Sequence, residues 1–502
     1  MRKNTKSIMI QGTGSGVGKS IAVAALCRIF LQDGYKVAPF KAQNMALNSF
    51  VTKEGLEIGR AQAMQADACK ISPTVDMNPI LIKPSADTVA QIIIRGKPLK
   101  NMDVLEYVQY KKQKDAIRII KESFDNLTKE FDIIVIEGAG SPAEVNLHSH
   151  DIVNMRMAKI AKSPVLLLGD IDKGGVFASL YGTVELLSRN ERDRIKGFII
   201  NKFRGDISLL CPGLKFLERK TKIPVLGVIP YFHDIRLPEE DSVPDKYFKT
   251  NISDKKIDIK IIYLPHISNF TDFDALKNEA DVNLEYIGKG KKLGTADIII
   301  IPGSKNTVSD LKYLYENGYE KQIKENHDKG KMIIGICGGY QMLGKKIIDK
   351  LNIESKQKEI NGLGLLNIVT VFKQTKTLTQ VKAKHIESNR SVSGYEIHMG
   401  ETEIFGREKP AFNIYEKMRK NVNIKDGARS RDKQVWGTYI HGVFDDKEFR
   451  EFILNGVRQK KGLKIISSSD FNQDEEYDKL ADLFRKNINM KLIYKILGAK
   501  KA

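Results

Sequence analysis

The sequence predicts an α/β protein of two domains, each a mostly parallel sheet with helices on both faces. Residues 7–230 alternate short apolar runs, such as "FDIIVIEG" and "SPVLLLGD", with longer helical stretches. Strands that alternate with helices in this way form parallel sheets. A second alternation begins at residue 257 with "IDIKIIYLP". The polar, proline-bearing residues 231–256 between the two series are typical of an inter-domain linker.

These patterns set the predicted domain boundaries. The first domain covers residues 1–230, the linker covers residues 231–256 and the second domain covers residues 257–447. Residues 448–502 are charged and are predicted to form a helical extension. A chain of 502 residues is long enough to bury a proper core in each of two or three domains.

The charge balance is strongly basic. The formal net charge is +20, from 82 basic and 62 acidic side chains. The lysines are scattered and no basic stretch is interleaved with aromatic residues, so the sequence does not predict nucleic-acid binding. An excess of positive charge is compatible with an anionic substrate.

Membrane and export signals are not found. No apolar run approaches the roughly 20 residues that a membrane span needs. The start, "MRKNTKSIMIQGTG", carries charge but no long apolar core of the kind a signal peptide has. We therefore expect a cytoplasmic protein without a membrane partner. The sequence leaves both a monomer and a homo-oligomer open.

The chain has four cysteines, at positions 27, 69, 211 and 337. Their wide spacing fits neither a disulfide framework nor a zinc site. Cys27, Cys69 and Cys211 are predicted to be buried and to behave as small hydrophobic residues.

A glycine-rich loop, "MIQGTGSGVGKS", follows a predicted strand and opens a predicted helix. Such a loop turns backbone N–H groups toward phosphate oxygens, and the helix start adds its dipole. Lys19 would supply positive charge to the β- and γ-phosphates of ATP, and Ser20 a hydroxyl ligand to Mg²⁺. The usual spacing requires glycine at position 13, where Thr13 stands, so this loop is a variant. The predicted nucleotide-binding residues of the loop are Gly12, Thr13, Gly14, Gly16, Gly18, Lys19 and Ser20.

Polar residues follow other strands of the first domain, at the edge where open parallel sheets bind ligands. Glu137 ends the apolar run of "DIIVIEGAGS" and is the predicted second ligand of Mg²⁺ or of a metal-bound water. Lys41 and Asn44 follow the strand in "VAPFKAQNMALNS", and we assign them to the nucleotide site. Asp170, Asp172 and Lys173 in "LLLGDIDKGG" would line the same crevice.

The stretch "GICGG" has the G-x-nucleophile-x-G form of a nucleophile elbow, with Cys337 at its centre. The preceding strand delivers the thiol to a sharp turn, and the helix behind the turn favours the thiolate. Backbone N–H groups at such a turn, including that of Gly338, stabilise an oxyanion. Gly303, at the end of "IIIIPGS", is predicted to add support to that oxyanion site.

A cysteine nucleophile requires a base. His441 in "VWGTYIHGVF" is the best candidate, because it ends a strand-like run and precedes a glycine. His398 in "GYEIHMG" is the alternative. A thiol that attacks glutamine releases ammonia, and a nucleotide site converts a carboxylate into an acyl phosphate that ammonia can attack. Together the two sites therefore predict glutamine-dependent, ATP-driven amidation.

The residues carry a clear resemblance to known families. The second half resembles a class I glutamine amidotransferase domain, and the first half is similar to the dethiobiotin synthetase-like P-loop family. The combination resembles the cobyric acid synthase family of cobalamin biosynthesis. Matching stretches run through most of the chain, including "QGTGSGVGKS", "FKAQNMALNS", "EGAGSPAEVNL", "ISNFTDFDAL", "PGSKNT", "GICGGYQMLG", "SGYEIHMG" and "GTYIHGVFD".

The resemblance implies a specific reaction. Members of this family amidate the b, d, e and g carboxylates of adenosylcobyrinic acid a,c-diamide, an anionic corrinoid. Each step uses one glutamine and one ATP, with Mg²⁺. The family's catalytic residues carry over as Cys337, the nucleophile, and His441, the base, and its phosphate loop carries over onto Gly12–Ser20.

The sequence departs from related patterns in two places. Many class I amidotransferases have a glutamate two residues after the histidine, where this chain has Val443. The site then resembles a Cys/His dyad, and Glu396 is our sequence-based hypothesis for the acid that orients His441. In the phosphate loop the family usually has T-S-D-A where this chain has residues 14–17, "GSGV".

Alternative functions remain open at this point. The a,c-diamide synthase of the same pathway shares the architecture, although "FKAQNMALNS" disfavours it. An amidotransferase acting on cell-wall lipid precursors usually divides the two halves between separate chains. A ParA-like ATPase switch has a similar loop but no use for an elbow cysteine.

Overall fold

The computed structural model of the chain describes residues 5–86, 89–112, 114–232, 234–237, 255–468 and 472–500. The predicted linker therefore lies largely outside the described residues. The chain forms two compact units. The first comprises Met1–Ala46, Ile58–Asp241 and Asn472–Ala502, and the second comprises Leu47–Glu57 and Ser242–Phe471.

The strands alternate with helices along most of the chain. In chain order the strands are β1 (Lys6–Gly12), β2 (Val37–Phe40), β3 (Gln43–Met45), β4 (Ser49–Val51), β5 (Glu57–Gly59), β6 (Ile80–Ala86), β7 (Val89–Ile94), β8 (Lys97–Asp103), β9 (Ile133–Glu137), β10 (Val165–Asp170), β11 (Ile195–Phe203), β12 (Val225–Pro230), β13 (Ile257–Ile262), β14 (Ile267–Ser268), β15 (Val282–Ile287), β16 (Ile298–Ile301), β17 (Gly303–Ser304), β18 (Met332–Ile336), β19 (Lys346–Ile348), β20 (Glu359–Asn361), β21 (Ile368–His385), β22 (Ser391–Ile404), β23 (Phe412–Lys417), β24 (Lys420–Asp426), β25 (Ala428–Arg429), β26 (Val435–Thr438) and β27 (Ile440–His441).

The α-helices follow the same order. They are α1 (Lys19–Gln32), α2 (Arg60–Ala68), α3 (Val104–Lys112), α4 (Lys114–Glu130), α5 (Met155–Ile160), α6 (Val176–Leu186), α7 (Arg189–Arg192), α8 (Ile207–Thr221), α9 (Asp274–Lys277), α10 (Thr307–Glu316), α11 (Tyr319–Asp328), α12 (Gly338–Met342), α13 (Lys447–Lys460), α14 (Gln473–Asn487) and α15 (Met490–Leu497). Within the described residues, no helix combines the length and the apolar character that crossing a membrane requires.

The first unit is built on a six-stranded sheet of order β12-β11-β10-β1-β9-β2. All of its pairs are parallel. The five residues of β9 are all buried, as expected for a strand that is covered on both faces. Since parallel strands end at one edge, Gly12 of β1 and Glu137 of β9 reach the same side of the sheet. The sheet thus brings the phosphate loop and the predicted metal ligand together.

The second unit contains a parallel sheet of order β15-β13-β16-β18-β26, with β25 added antiparallel at one edge. Its centre is strongly apolar: all four isoleucines of β16 are buried. Strand β18 ends at Ile336, so the next residue, Cys337, lies at the carboxyl edge of this sheet. The predicted α/β class with parallel sheets is confirmed for both units.

The structure also contains antiparallel sheets that the sequence pattern did not reveal. In the second unit β21 and β22 form a long antiparallel pair within a seven-stranded sheet. In the first unit β6, β7 and β8 form an antiparallel meander. The 18 residues of β21 include many threonines and valines, which favour strands, but lysines break up their apolar pattern.

The compact units divide the chain differently from the predicted boundaries. Leu47–Glu57 groups with the second unit although the first domain was predicted to cover residues 1–230. The extension predicted over residues 448–502 is also divided, because α13 lies in the second unit whereas α14 and α15 lie in the first. Arg28 of α1 holds α14 in the first unit through an ion pair of 2.7 Å between its Nε and the Asp478 carboxylate.

Two of the three cysteines predicted to be structural are buried, Cys27 and Cys69. The prediction was wrong for Cys211, which is exposed. It lies in α8, a helix with few buried side chains.

Candidate active sites

The glycine-rich loop closes around the Lys19 ammonium. Gly16 and Gly18 have φ angles of +69° and +100°, which residues with a side chain rarely adopt. Lys19 is buried, and its Nζ donates to the carbonyl oxygen of Gly14 at 2.8 Å and to that of Gly140 at 3.3 Å. A Cβ at Gly12 would lie only 2.5 Å from a Val17 methyl carbon, so the loop requires glycine there. The loop therefore has the shape and charge of a phosphate site.

The Glu137 carboxylate, beside this loop, accepts hydrogen bonds from several side chains. It accepts hydrogen bonds from the Ser20 hydroxyl at 2.9 Å and from the Lys41 ammonium at 2.8 Å. The amide of Gln65 donates to its other oxygen at 2.5 Å. Glu137 is 1% exposed, so these contacts replace water around its charge.

The protonation state of Glu137 follows from these partners. Burial raises the pKa of the carboxyl, but the Lys41 ammonium and the Gln65 amide outweigh burial and hold the pKa below its ordinary value. Glu137 is therefore ionised at neutral pH. Ser20 and Glu137 place two hard oxygen atoms side by side, which is the chemistry that Mg²⁺ prefers. Within the described residues no group of three or more His, Cys, Asp or Glu side chains could hold a metal alone.

Two residues of this cluster were missed by the sequence analysis, Gln62 and Gln65. They lie three residues apart in α2 and so share one helix face. Asn44, predicted to bind nucleotide, donates from Nδ2 to the Gln62 side chain at 3.0 Å. The spacing Q-x-x-Q in "GRAQAMQADA" was a visible signal, but nothing local indicated that the glutamines face Glu137.

Asp170 and Asp172, the other acidic residues predicted at this edge, are paired with basic side chains. Lys202 Nζ lies 2.8 Å from the Asp170 carboxylate and donates to the Gly16 carbonyl oxygen at 2.7 Å. Arg204 Nε lies 2.8 Å from the Asp172 carboxylate. Lys202 thus connects the ends of β10 and β11 to the phosphate loop.

Cys337 has the geometry of a nucleophile elbow. Its φ of +50° is unusual for a residue with a side chain and marks local strain of the kind found at functional sites. A Cβ at Gly335 would lie 2.7 Å from the backbone of Gly339, and a Cβ at Gly339 would clash with the carbonyl oxygen of Ile301, so both flanking positions need glycine. The thiol is nearly buried, and its Sγ lies 3.4 Å from the carbonyl oxygen of Ile397.

The two glycines predicted to support the oxyanion lie close to this elbow. Gly338 is the first residue of α12, where a backbone N–H has no partner within the helix. A Cβ at Gly338 would lie 2.9 Å from the Ser304 nitrogen. A Cβ at Gly303 would lie 3.2 Å from His441 Cε1, so this glycine borders the imidazole ring.

His441 is held by a carboxylate that the sequence analysis did not identify. Its Nδ1 lies 2.6 Å from Asp272 Oδ2, and both side chains are buried. The other carboxylate oxygen of Asp272 accepts from the Gly442 N–H at 3.2 Å. Asp272 belongs to "ISNFTDFDAL", which was noted only as a matching stretch, and it lies 169 residues before His441.

Glu396, our hypothesis for the acid that orients His441, has other partners. Lys417 Nζ lies 3.2 Å from its carboxylate, and His398 Nε2 lies 3.8 Å away. Glu396 pairs with Ile440 across β22 and β27, so it is next to His441 in register. Cross-strand partners share a face, whereas consecutive side chains of one strand alternate, so Glu396 lies on the face of Ile440 and His441 lies on the opposite face. His398, the alternative base, stacks on Tyr439 with ring centroids 3.8 Å apart.

The pKa of His441 is strongly perturbed. Burial lowers it, but the Asp272 carboxylate, followed by a hydrogen bond and charge interaction with Cys337, raises it to about 10. The imidazole is therefore protonated at neutral pH and faces a thiol that it can stabilise as thiolate. This arrangement can perform nucleophilic attack on a carbonyl and protonate the departing nitrogen.

Comparison with known families matches both units. Residues 8–244 match the CobQ/CobB/MinD/ParA nucleotide-binding domain, and residues 258–449 match the CobB/CobQ-like glutamine amidotransferase domain. The fold and the two sites therefore define an ATP-dependent glutamine amidotransferase with both domains on one chain.

Curated relatives match the chain from end to end. Proteins called cobyric acid synthase from Thermoanaerobacter sp. and Caldanaerobacter subterraneus are 53% and 51% identical, each over 98% of both chains. The cobyric acid synthase of Alkaliphilus metalliredigens is 53% identical over 97% of this chain and 99% of its own. The chain belongs to the cobyric acid synthase family.

Proposed function

We propose that this protein amidates the b, d, e and g carboxylates of adenosylcobyrinic acid a,c-diamide, using glutamine as the nitrogen donor and ATP as the energy source. Identity above 50% over nearly the whole chain to proteins named cobyric acid synthase carries this proposal. The net charge of +20 is compatible with a corrinoid that carries several carboxylates.

Ammonia would be released at Cys337. The thiolate attacks the carboxamide carbon of glutamine, and the N–H groups of Gly338 and of the Gly303 turn stabilise the oxyanion. The C–N bond breaks as the imidazolium of His441 gives its proton to the departing nitrogen, which leaves as ammonia. Neutral His441 then takes a proton from water, the resulting hydroxide cleaves the thioester, and glutamate leaves as the thiolate returns.

Activation of the carboxylate would occur at the phosphate loop. A substrate carboxylate oxygen attacks the γ-phosphorus of ATP, the bond to ADP breaks, and an acyl phosphate forms. Ammonia attacks the acyl carbon, inorganic phosphate leaves, and the surplus proton passes to solvent. Lys19 stabilises the charge on the transferring phosphoryl group.

Ser20 and Glu137 would hold Mg²⁺ at this site, where the ion neutralises phosphate charge. Replacing Glu137 with glutamine removes an anionic ligand, so we expect the Mg²⁺ concentration for half-maximal ammonia-dependent amidation to rise at least about tenfold. Titrating Mg²⁺ at fixed ATP measures the change. An unaltered Mg²⁺ requirement would remove Glu137 from the metal site.

The substrate assignment can be tested by mass analysis. Incubation of the protein with the a,c-diamide, glutamine and ATP is expected to yield a product with four new amides. The alternative, the a,c-diamide synthase, would leave this compound unchanged and would instead amidate the diacid precursor. The proposed substrate would be rejected if the a,c-diamide gained no amide, or if the protein amidated only the diacid precursor.

Asp272 should be the residue that keeps His441 charged. In an Asp272→Asn variant the pKa of His441 falls, and we expect glutamine hydrolysis to drop about 10²-fold and its alkaline limb to shift to lower pH. Initial rates of glutamate formation across pH measure the change in hydrolysis.

The Asp272–His441 pair also contributes to the free energy of unfolding. Because the folded-state pKa of His441 is raised, this contribution is complete below about pH 6.5 and is lost as pH rises through about 10.

Glu396→Gln is the matched comparison, because Glu396 is also a buried carboxylate of the same unit. It is expected to leave the alkaline limb of glutamine hydrolysis where it is in the wild type. If Glu396→Gln moved that limb and Asp272→Asn did not, the orienting role would belong to Glu396.

A further inference from the structure

The Leu47–Glu57 segment, which follows β3, packs within the second unit against residues that touch His441. The ring of Phe50 lies 5.7 Å from that of Tyr395, centroid to centroid. Tyr395 in turn stacks on the His441 imidazole, with centroids 5.2 Å apart and planes 17° from parallel. Phe50 therefore supports the aromatic face on which the proposed base rests.

The same segment also packs against the strand beside Cys337. Val51 is fully buried and forms a small hydrophobic cluster with Tyr395 and Ile397, separate from the main core of the unit. Ile397 is the residue whose carbonyl oxygen lies 3.4 Å from Cys337 Sγ. The cluster therefore joins the segment to both proposed catalytic residues.

A second set of contacts, all of them polar, connects the Leu47–Glu57 segment with His441. The Ser49 N–H donates to Asn269 Oδ1 at 3.0 Å, and Asn48 Oδ1 accepts from the Phe270 N–H at 3.2 Å. Asn269 has a φ of +54°, and its Nδ2 lies 3.4 Å from His441 Nε2. The segment thus fixes Asn269 in an uncommon backbone conformation directly beside the imidazole.

The segment is anchored on both sides of these contacts. Gln380 Nε2 donates to the Val51 carbonyl oxygen at 2.9 Å. At its end Glu57 forms an ion pair with Lys376, and both side chains are buried. Anchors of this kind hold a loop in one geometry, which is what positioning of an active site requires.

We propose that Leu47–Glu57 is a positioning element of the glutamine-hydrolysing site, although its sequence precedes that domain by about 200 residues. It acts through Tyr395, which stacks on the His441 ring, and through Asn269, which borders Nε2, and together these two residues fix the plane of the imidazole. A cation against an aromatic face is stabilised, so loss of the Tyr395 stack disfavours the imidazolium. The proposal rests on the proposed roles of Cys337 and His441.

The test uses Phe50→Ala in the full-length protein. We expect kcat for glutamine hydrolysis to fall about tenfold, with its alkaline limb shifted to lower pH and ammonia-dependent amidation within about twofold of wild type. Phe50→Tyr, which keeps a ring, should restore both kcat and the pH profile. Phe405→Ala is the control, since Phe405 is a partly exposed phenylalanine of the same unit and should change neither quantity.

A second pair of variants keeps the proposal testable if Phe50→Ala misfolds. Asn48→Ala removes the acceptor for the Phe270 N–H and should lower hydrolysis, whereas Asn48→Asp keeps an acceptor and should retain it. Unchanged kcat and pH profile in both Phe50→Ala and Asn48→Ala would overturn the proposal, and so would a parallel loss of hydrolysis and ammonia-dependent amidation. Glutamine hydrolysis that survives Cys337→Ala would instead reject the proposed catalytic site.

Discussion

Replacing Cys337 with alanine is expected to abolish glutamine-dependent amidation and to leave ammonia-dependent amidation near the wild-type rate. The variant lacks the nucleophile, and removal of a catalytic nucleophile commonly costs at least about 10³-fold in turnover. The phosphate loop belongs to the other compact unit and keeps its residues. Parallel assays with glutamine and with ammonium salt as the nitrogen source, each followed by product mass, measure the two activities.

Cys211→Ala is the matched control, because Cys211 is an exposed free cysteine outside both sites. It should retain both activities. Full glutamine-dependent amidation by the Cys337→Ala variant would contradict the thiol mechanism. A loss of the ammonia-dependent reaction in that variant would show that the thiol is needed for more than ammonia release.

Lys19→Ala is expected to abolish amidation with either nitrogen source. The Lys19 ammonium is held by the Gly14 and Gly140 carbonyl oxygens, where it would meet the phosphates of ATP. Removing one preorganised positive group from a phosphoryl-transfer site costs on the order of 10²–10³-fold. Glutamine hydrolysis should persist, because Cys337 and His441 lie in the other unit. Rates of ADP formation and of amide formation measure the effect.

Lys215→Ala is the comparison for this variant, since Lys215 is exposed on α8 of the same unit. It should keep ammonia-dependent amidation within about twofold, as expected of a surface substitution. If Lys19→Ala retained substantial ammonia-driven product, the role assigned to the lysine would be refuted.

Much of the fold could be predicted from local pattern. Runs such as the four isoleucines of β16 indicate strands that are buried on both faces, and alternation with helices indicates parallel pairing. The antiparallel pair β21–β22 could not be predicted in this way, because many residues of both strands are exposed and lysines interrupt the apolar pattern of β21. The placement of α14 against α1 also escaped prediction, since the Arg28–Asp478 contact joins residues 450 positions apart.

The candidate sites also contain residues that the sequence predicts and residues that it does not. Cys337, Lys19 and Ser20 stand in motifs whose spacing carries chemical meaning, so sequence alone predicts them. The Q-x-x-Q spacing that includes Gln65 does not indicate its partner, and Asp272 stands in no catalytic motif, because each reaches its site from a different element of the fold.

The amino-acid sequence by itself determined the class of the protein, the glycine-rich loop, the elbow cysteine and the histidine paired with it. These features are local, since a strand, a turn and a helix start specify them over about ten residues. Only the tertiary structure decided which carboxylate holds His441 and that Leu47–Glu57 packs beside it. The hydrogen bond of 2.6 Å between Asp272 and His441 joins residues 169 positions apart, one in the turn Phe270–Phe273 and one in β27. Such a contact depends on how separate elements pack around the core of the unit, and it leaves no local pattern in the chain.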